Sequence, residues 1–182
     1  MRRLFTMDLK DYGDDFKVFR RPSARAIIQR EGRLCMVYSP VEKYYKFPGG
    51  GIHEDEDRVD ALIREVREET GLAVIPETVR EYGSVLRRQN GNQDEKTIFE
   101  QVNYYYFCDV RDGNIGQDLD VYEEELEFTL RDVDIEEAIR ANDEYTSDNL
   151  FEYQMIKREL RVLQMLKEEF FAAGNPRLSE QK

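Results

Sequence analysis

Short apolar runs alternate with polar turns near the start of the chain, and this pattern predicts β structure there. Residues 24–30 (ARAIIQR) and 33–38 (RLCMVY) are separated by Glu31 and Gly32, a combination typical of a hairpin turn. A weaker pair of strands is expected ahead of this hairpin. The predicted strands of the region are 4–7, 17–19, 24–30 and 33–38.

A helical pattern begins after the glycine-rich stretch FPGGG at 47–51. Across residues 58–70 apolar side chains recur every three or four positions, which places them on one side of a helix. Gly71 is expected to end this helix, because glycine readily adopts the left-handed conformation found at helix ends. The apolar positions are Val59, Leu62, Ile63 and Val66.

The second half of the chain mixes both patterns. β-branched and aromatic residues predict strands at 81–86, 97–108 and 127–133. The polar residues 87–96 are expected to form a loop between the first two of these strands. Asp134, followed by Glu137 three positions later, is typical of a capped helix start, so a short helix is predicted at about 135–141.

The last predicted element is a helix at about 148–172, where apolar side chains again recur at helical spacing ahead of a glycine and a proline. Residues 175–182 are polar and are expected to be disordered. No internal repeat or linker divides the sequence. Residues 1–182 are therefore interpreted as a single α/β domain, with a core at about 20–145 and a packing helix after it.

The composition is typical of a folded protein. Hydrophobic residues make up 40% of the 182 residues and aromatic residues 12%, which is enough to build a core. Cys35 and Cys108 are too few for a disulfide framework or a four-thiolate zinc site, so free buried thiols and a reducing, cytoplasmic setting are expected. No signal-like segment and no run of about 20 apolar residues is present, so no membrane association is expected.

The charge is distributed unevenly along the chain. A formal net charge of −12 would repel phosphates and nucleic acid polymers if it were spread evenly. Residues 1–49, however, carry 11 basic and 6 acidic groups, whereas residues 109–144 carry 14 acidic and 3 basic groups. The net charge therefore argues against a nucleic acid polymer as partner but does not exclude a small polyphosphate.

Three glutamates stand together in the predicted helix 58–70. Glu65, Glu68 and Glu69 are spaced at i, i+3 and i+4, so their carboxylates project from one helix face. Like charges at this spacing repel each other, and a hard divalent cation such as Mg²⁺ relieves the repulsion. For the spacing alone, a solvated helix face is the alternative.

The stretch as a whole resembles the signature of the Nudix hydrolases. That signature is Gly, five residues, Glu, seven residues, Arg-Glu, an aliphatic residue, any residue, Glu-Glu, any residue, Gly and an aliphatic residue. Every specified position is present at its spacing. The matching residues are Gly50, Glu56, Arg64, Glu65, Val66, Glu68, Glu69, Gly71 and Leu72.

The resemblance implies a fold and an activity. The fold would be an α/β/α sandwich with a mixed β-sheet, to which the C-terminal helix is added. The activity would be hydrolysis of the diphosphate bond in a nucleoside diphosphate linked to another group, with Mg²⁺, or Mn²⁺ in its place, assisting the attack of water.

The resemblance also implies roles for individual residues. The metal ligands would be Glu65, Glu68, Glu69 and the backbone oxygen of Gly50, with one of the glutamates a candidate general base. Arg64 would orient the glutamates, and Glu56 would support Arg64. In the acidic run 123–125, Glu124 or Glu125 is the preferred further metal ligand, with solvated surface as the alternative.

Four residues near the glycine-rich stretch 47–51, here called the glycine turn, are weaker candidates for substrate binding. Arginine grips phosphate with two donors and tyrosine offers a flat ring to a base, although each residue alone fits an ordinary strand edge equally well. The candidates are Arg21, Arg25, Tyr45 and Lys46.

The sequence leaves the substrate open. A nucleoside triphosphate, including an oxidised one, and a nucleotide-sugar or dinucleotide are all compatible with the signature. The alternative to an enzyme is a Nudix-like module that binds a nucleotide derivative for regulation, with weak or no catalysis. A small-molecule nucleoside diphosphate derivative is the expected partner, and a homodimer is left open.

Overall fold

The computed structural model describes residues 1–92, 95–111, 117–119 and 121–171. The strands are β1 (Arg3–Asp8), β2 (Lys17–Arg20), β3 (Ser23–Arg30), β4 (Arg33–Ser39), β5 (Tyr44–Lys46), β6 (Ala73–Val74), β7 (Arg80–Asn92), β8 (Thr97–Phe107), β9 (Val110–Arg111) and β10 (Thr129–Val133). The helices are α1 (Arg58–Thr70), α2 (Val121–Glu125), α3 (Ile135–Glu144) and α4 (Leu150–Leu166), with a 3₁₀ turn at Pro76–Thr78 and a π-helical turn at Lys167–Phe171. Within these ranges, no helix is long and apolar enough to cross a membrane.

A mixed sheet forms the centre of the molecule, in the strand order β1-β7-β8-β3-β4-β10. β1 is parallel to β7 and β3 is parallel to β8, whereas the other neighbours in this order are antiparallel. β2 is parallel to β8 ahead of β3, and β5 pairs with β4. β6 and β9 form a separate two-stranded sheet.

Helices cover both faces of the sheet, because successive side chains of a strand point to opposite sides. Helix α1 packs on the face that carries Ala24, Ala26 and Ile28 of β3, with Leu62 and Val66 buried against them. Helices α3 and α4 pack on the opposite face, which carries Ile27 and Tyr105; the helical residues buried there include Ile135, Ala138, Val162, Leu163 and Leu166. The predicted α/β/α sandwich with a C-terminal helix is confirmed.

Helix α1 has a side-chain cap at its start and a glycine at its end. The Asp57 carboxylate accepts hydrogen bonds from the amides of Val59 at 2.7 Å and Asp60 at 3.4 Å. Gly71 has φ 71° and ψ 3°, and its amide donates to the Arg67 carbonyl, as predicted for a left-handed helix end. These two caps define the start and the end of α1.

The region predicted as a polar loop at 87–96 is largely strand. β7 extends to Asn92 and pairs with β8 along its length, from Arg80 opposite Phe107 to Asn92 opposite Thr97. The polar side chains of this stretch pair across the strands; for example, Arg88 lies 3.2 Å from Glu100. Polarity alone therefore misidentified the loop, since cross-strand pairing of charged residues stabilises a two-stranded ribbon.

The two predicted C-terminal helices are present, with a difference at the start of α3. Asp134 is its N-cap residue, but its side chain forms no capping hydrogen bond. Glu137 instead accepts a hydrogen bond from the Tyr45 hydroxyl at 3.0 Å. The predicted reciprocal cap is thus replaced by a contact between α3 and β5. Residues 175–182, expected to be disordered, lie outside the described residues.

Candidate active site

The guanidinium group of Arg64 lies at the centre of the signature residues and contacts three carboxylates. Its Nε and Nη2 atoms donate to the two oxygens of Glu56 at 2.8 and 2.9 Å. Its Nη1 atom donates to Glu65 at 2.7 Å and to Glu68 at 3.1 Å. The Gly51 carbonyl accepts from Nη2 at 2.9 Å. Arg64 therefore joins the loop before α1 to the acidic face of the helix.

Glu56 is held as a charged group. Hydrogen bonds from Arg64, together with the amide of His53 at 2.9 Å, lower the pKa of Glu56 to about 2. The same contact with Glu56 raises the pKa of Arg64. This pair fits the supporting role that the signature implies for Glu56 and the orienting role that it implies for Arg64.

Glu69 differs from the other two helix glutamates, because it is buried and faces the glycine turn. Only 2% of its side chain is exposed. One oxygen accepts from the ammonium of Lys46 at 2.7 Å and the other accepts from the amide of Gly49 at 2.8 Å. Glu69 thus connects the end of α1 to the turn that precedes it.

The glycine turn runs beside the start of β3 and takes the place of a neighbouring strand. The amide of Ala24 donates to the Gly50 carbonyl at 3.0 Å, and the amide of Ala26 donates to the Pro48 carbonyl at 2.8 Å. Gly49 has φ 134°, and a Cβ there would lie 2.1 Å from the Ala24 carbonyl oxygen. Only glycine fits this backbone conformation and this approach.

The donor groups fit a divalent cation in their chemistry. A Cβ on Gly50 would lie 2.2 Å from an oxygen of Glu65, so the missing side chain leaves a space that this carboxylate fills. Carboxylate oxygens and a backbone carbonyl are the ligands that hard cations prefer. In the described part of the chain, however, no three acidic, histidine or cysteine side chains converge on one point at metal-binding spacing. The cations Arg64 and Lys46 lie between the carboxylates.

In the acidic run 123–125, Glu123 is the residue that approaches this cluster. One of its oxygens lies 3.3 Å from the ammonium of Lys46, which also contacts Glu69. Glu124 and Glu125, which the sequence favoured, have exposed side chains. The short helix α2 turns the first of the three glutamates towards β5, a direction that a run of identical residues does not reveal.

Arg25 lies on the opposite face of the sheet from α1 and is buried. Its Nη1 atom donates to the carbonyls of Gly49 and Phe47, the second at 3.3 Å. In this arrangement its guanidinium group supports the glycine turn. Substrate binding by Arg25 stays a prediction.

Tyr45 and Lys46 are adjacent in β5 and therefore point to opposite faces. Lys46 reaches Glu69, whereas Tyr45 packs with Tyr38 and donates to Glu137 beside a groove of about 400 Å³. Burial, followed by the contact with Glu137, raises the pKa of Tyr45 to about 12. The structure thus separates two residues that the sequence placed in one substrate site.

Arg21 is the exposed member of the predicted substrate-binding set. It precedes β3, and a Cβ on Gly51 would lie 3.7 Å from its Nε atom. Its side chain is therefore beside the glycine turn and open to solvent, and phosphate binding by Arg21 stays a prediction.

Sequence reasoning missed Glu159, a fully buried carboxylate of α4. It accepts from the amide of Phe47 at 3.0 Å and from the Tyr105 hydroxyl at 3.2 Å, and it pairs with Arg158. Burial would raise the pKa of Glu159, but Arg158 and Arg25 lower it. A signal was available: Glu159 stands at helical spacing from Ile156 and Leu163, on the apolar side of the helix.

Comparisons with known proteins agree with the geometry. A family model of the NUDIX domain matches residues 19–153. The CTP pyrophosphohydrolase of Escherichia coli is 37% identical over 68 residues, which are 35% of this chain and 48% of that protein. An RNA pyrophosphohydrolase of Bartonella bacilliformis is 36% identical over 69 residues, which are 32% of this chain and 41% of that protein. The chain thus spans less than half the length of these curated relatives.

A solved structure supports the fold. The mutator MutT protein from Bacillus halodurans aligns with a TM-score of 0.52 over 75% of this chain and 80% of that chain, at 16% identity. This likeness concerns the fold alone. Since the family model covers well over half of the sequence and the signature is intact, the chain belongs to the Nudix family.

Proposed function

We propose that the protein is a Mg²⁺-dependent pyrophosphohydrolase that cleaves the diphosphate bond of a small nucleotide. The observation that carries this proposal is the intact set of glutamates on α1, with Arg64 bonded to Glu56 on one side and to Glu65 and Glu68 on the other. A structural protein has no need to gather like charges around a single guanidinium group. A divalent cation would resolve that repulsion more completely.

Glu65, Glu68 and Glu69 would hold the cation, with the Gly50 carbonyl and Glu123 as further oxygen donors. Bound there, the cation would neutralise the non-bridging phosphate oxygens and lower the pKa of a water molecule. A glutamate of this set accepts the proton as the water oxygen attacks phosphorus. The bridging P–O bond breaks, and the products are a nucleoside monophosphate and either pyrophosphate or the phosphate of the other group.

Arg64 and the glycine turn hold these groups in place. Arg64 fixes Glu65 and Glu68 relative to each other, and its contact with the Gly51 carbonyl ties them to the turn. The Gly49 amide fixes Glu69 at the other end. Such prearranged charges cost little reorganisation when the reaction proceeds.

A nucleoside triphosphate, oxidised or not, is the proposed substrate, with a nucleotide-sugar as the second candidate. The similarity to a CTP pyrophosphohydrolase favours the triphosphate. The similarity to RNA pyrophosphohydrolases makes RNA a comparison substrate, but the 14 acidic groups in residues 109–144 oppose the approach of a long polyanion. Mn²⁺ is expected to replace Mg²⁺.

The buried free thiols Cys35 and Cys108 fit the reducing, cytoplasmic location that we include in the proposal. Regulatory binding without hydrolysis is the alternative function, and the complete signature disfavours it. A homodimer is compatible with either function.

The test is a panel of nucleoside triphosphates, oxidised triphosphates, nucleotide-sugars and RNA, assayed with Mg²⁺ and with Mn²⁺ and analysed for both products. The double substitution Glu68→Gln and Glu69→Gln should abolish turnover while the circular dichroism spectrum is kept. The exposed residue Glu54 gives the control Glu54→Gln, which should retain turnover. Metal-dependent binding without hydrolysis of any substrate would support the regulatory alternative.

A further inference from the structure

Lys46 is a buried lysine placed between two carboxylates of different helices. Its ammonium lies 2.7 Å from Glu69 of α1 and 3.3 Å from Glu123 of α2, and 9% of its side chain is exposed. The ring of Phe128 lies 4.3 Å from the same nitrogen. Lysine is rarely buried to this degree unless it is paired, so these contacts account for its burial.

Glu69 depends on this contact, because it is itself 2% exposed. A buried carboxylate without a counter-charge carries a large desolvation penalty. The Gly49 amide satisfies one oxygen of Glu69 by a hydrogen bond, but Lys46 is the full positive charge that contacts the other oxygen. The negative charge of Glu69, which a divalent cation would neutralise, is therefore already partly neutralised by Lys46.

We propose that Lys46 is a positioning residue that acts as a built-in cation: it holds Glu69 and Glu123 near each other without a metal and competes with a divalent ion for Glu69. This inference rests on the proposed function, since it presumes that Glu69 is a metal ligand. It differs from phosphate binding by Lys46, the role expected from the sequence. Glu123 approaches the cluster through Lys46, so the lysine also connects α2 to the site.

Two consequences follow from the geometry. Without metal, Lys46 stabilises the fold around the glycine turn, since β5, α1 and α2 meet at its ammonium. When a divalent ion is added, the positive charge of Lys46 repels it and weakens its binding. Removal of the lysine charge should therefore destabilise the metal-free protein and strengthen metal binding, two effects of opposite direction.

The experiment uses the full chain and Mn²⁺ alone, followed by electron paramagnetic resonance titration, with melting temperatures recorded in EDTA and in Mn²⁺. Lys46→Met should lower the Kd for Mn²⁺ by about tenfold and lower the melting temperature in EDTA. Lys46→Arg keeps the charge and should stay close to the parent protein. Lys17→Met removes an exposed charge of β2 and is the matched control.

An unchanged or weaker affinity for Mn²⁺ in Lys46→Met would overturn the proposal. A raised KM for substrate in the same variant would then favour phosphate binding by Lys46. Neither the Mn²⁺ titration nor the melting temperature requires turnover, so an inactive protein whose Lys46→Met variant binds Mn²⁺ more tightly would contradict the proposed function and leave the role of Lys46 intact.

The Glu69→Gln background keeps the test decisive if Lys46→Met folds poorly. There the lysine has lost one of the two carboxylates with which it pairs, so Lys46→Met should lower the melting temperature in EDTA less than it does beside Glu69. An equal loss in both backgrounds would show that Lys46 and Glu69 are not coupled and would contradict the proposal.

Discussion

Glu56 receives two hydrogen bonds from Arg64, from Nε at 2.8 Å and from Nη2 at 2.9 Å. This parallel arrangement fixes the plane of the guanidinium group, which leaves Nη1 directed at Glu65 and Glu68 of α1. A residue of the loop thereby sets the position of the acidic face of α1.

Glu56→Gln is expected to lower the free energy of unfolding by about 1 kcal/mol, because the amide cannot accept both hydrogen bonds from Arg64 and the pair is partly exposed. Urea denaturation measures the loss. Glu54→Gln, in the same loop, is the control and should change the free energy little. Equal effects of the two substitutions would contradict a specific role of Glu56.

The contribution of Glu56 should depend on pH in a defined direction. The pKa of Glu56 is about 2 in the folded protein, compared with 4.5 for an ordinary glutamate such as that of the unfolded chain. Its stabilising effect is therefore present above about pH 4.5 and is lost as the pH falls towards 2. The difference in unfolding free energy between the parent and Glu56→Gln should shrink across this interval. A difference that stays constant over the interval would argue against the ion pair.

Gly50→Ala is expected to reduce turnover by about a hundredfold, because the added methyl group would displace the Glu65 carboxylate from its place. Gly51→Ala is a matched control, since the nearest atom to its methyl group is 3.7 Å away. Steady-state kinetics with Mg²⁺ distinguishes the two variants. Comparable turnover in both variants would mean that catalysis does not depend on the position of the Glu65 carboxylate.

Glu159→Gln is expected to lower the free energy of unfolding by about 3 kcal/mol, since Arg158 would remain buried without its charged partner. Denaturant unfolding followed by circular dichroism gives the value. Glu168→Gln removes an exposed carboxylate close to the end of α4 and should cost little. A small loss for Glu159→Gln would mean that the buried pair adds little to stability.

The sequence predicted the parts of the fold that depend on local patterns. Helix α1 and its glycine end follow from apolar spacing and from the conformational freedom of Gly71, and β3 and β4 follow from two apolar runs. The extension of β7 to Asn92 was missed, because its polar residues are stabilised by pairing with β8 rather than by their own propensity.

In the candidate site, too, the features that depend on local spacing could be predicted and those that depend on contacts between distant elements could not. The spacing of the glutamates on α1 determines which carboxylates share a face, so this part could be predicted. Contacts between distant elements could not be: Glu123 approaches Lys46 from 77 positions away, and Glu159 reaches the Phe47 amide from 112 positions away. Alternation along β5 would have separated Tyr45 from Lys46, but only once the strand was known.

The peptide units of Gly49 are held from both faces of the sheet: Glu69 accepts from its amide on the α1 side, and Arg25 donates to its carbonyl from the α4 side. A loss of activity after substitution of Arg25 or Glu159 is consequently ambiguous as evidence for substrate contact. Either change can move the turn, and with it a carboxylate that the altered side chain never touches. Mutational scans of the α4 face should therefore be interpreted together with metal binding.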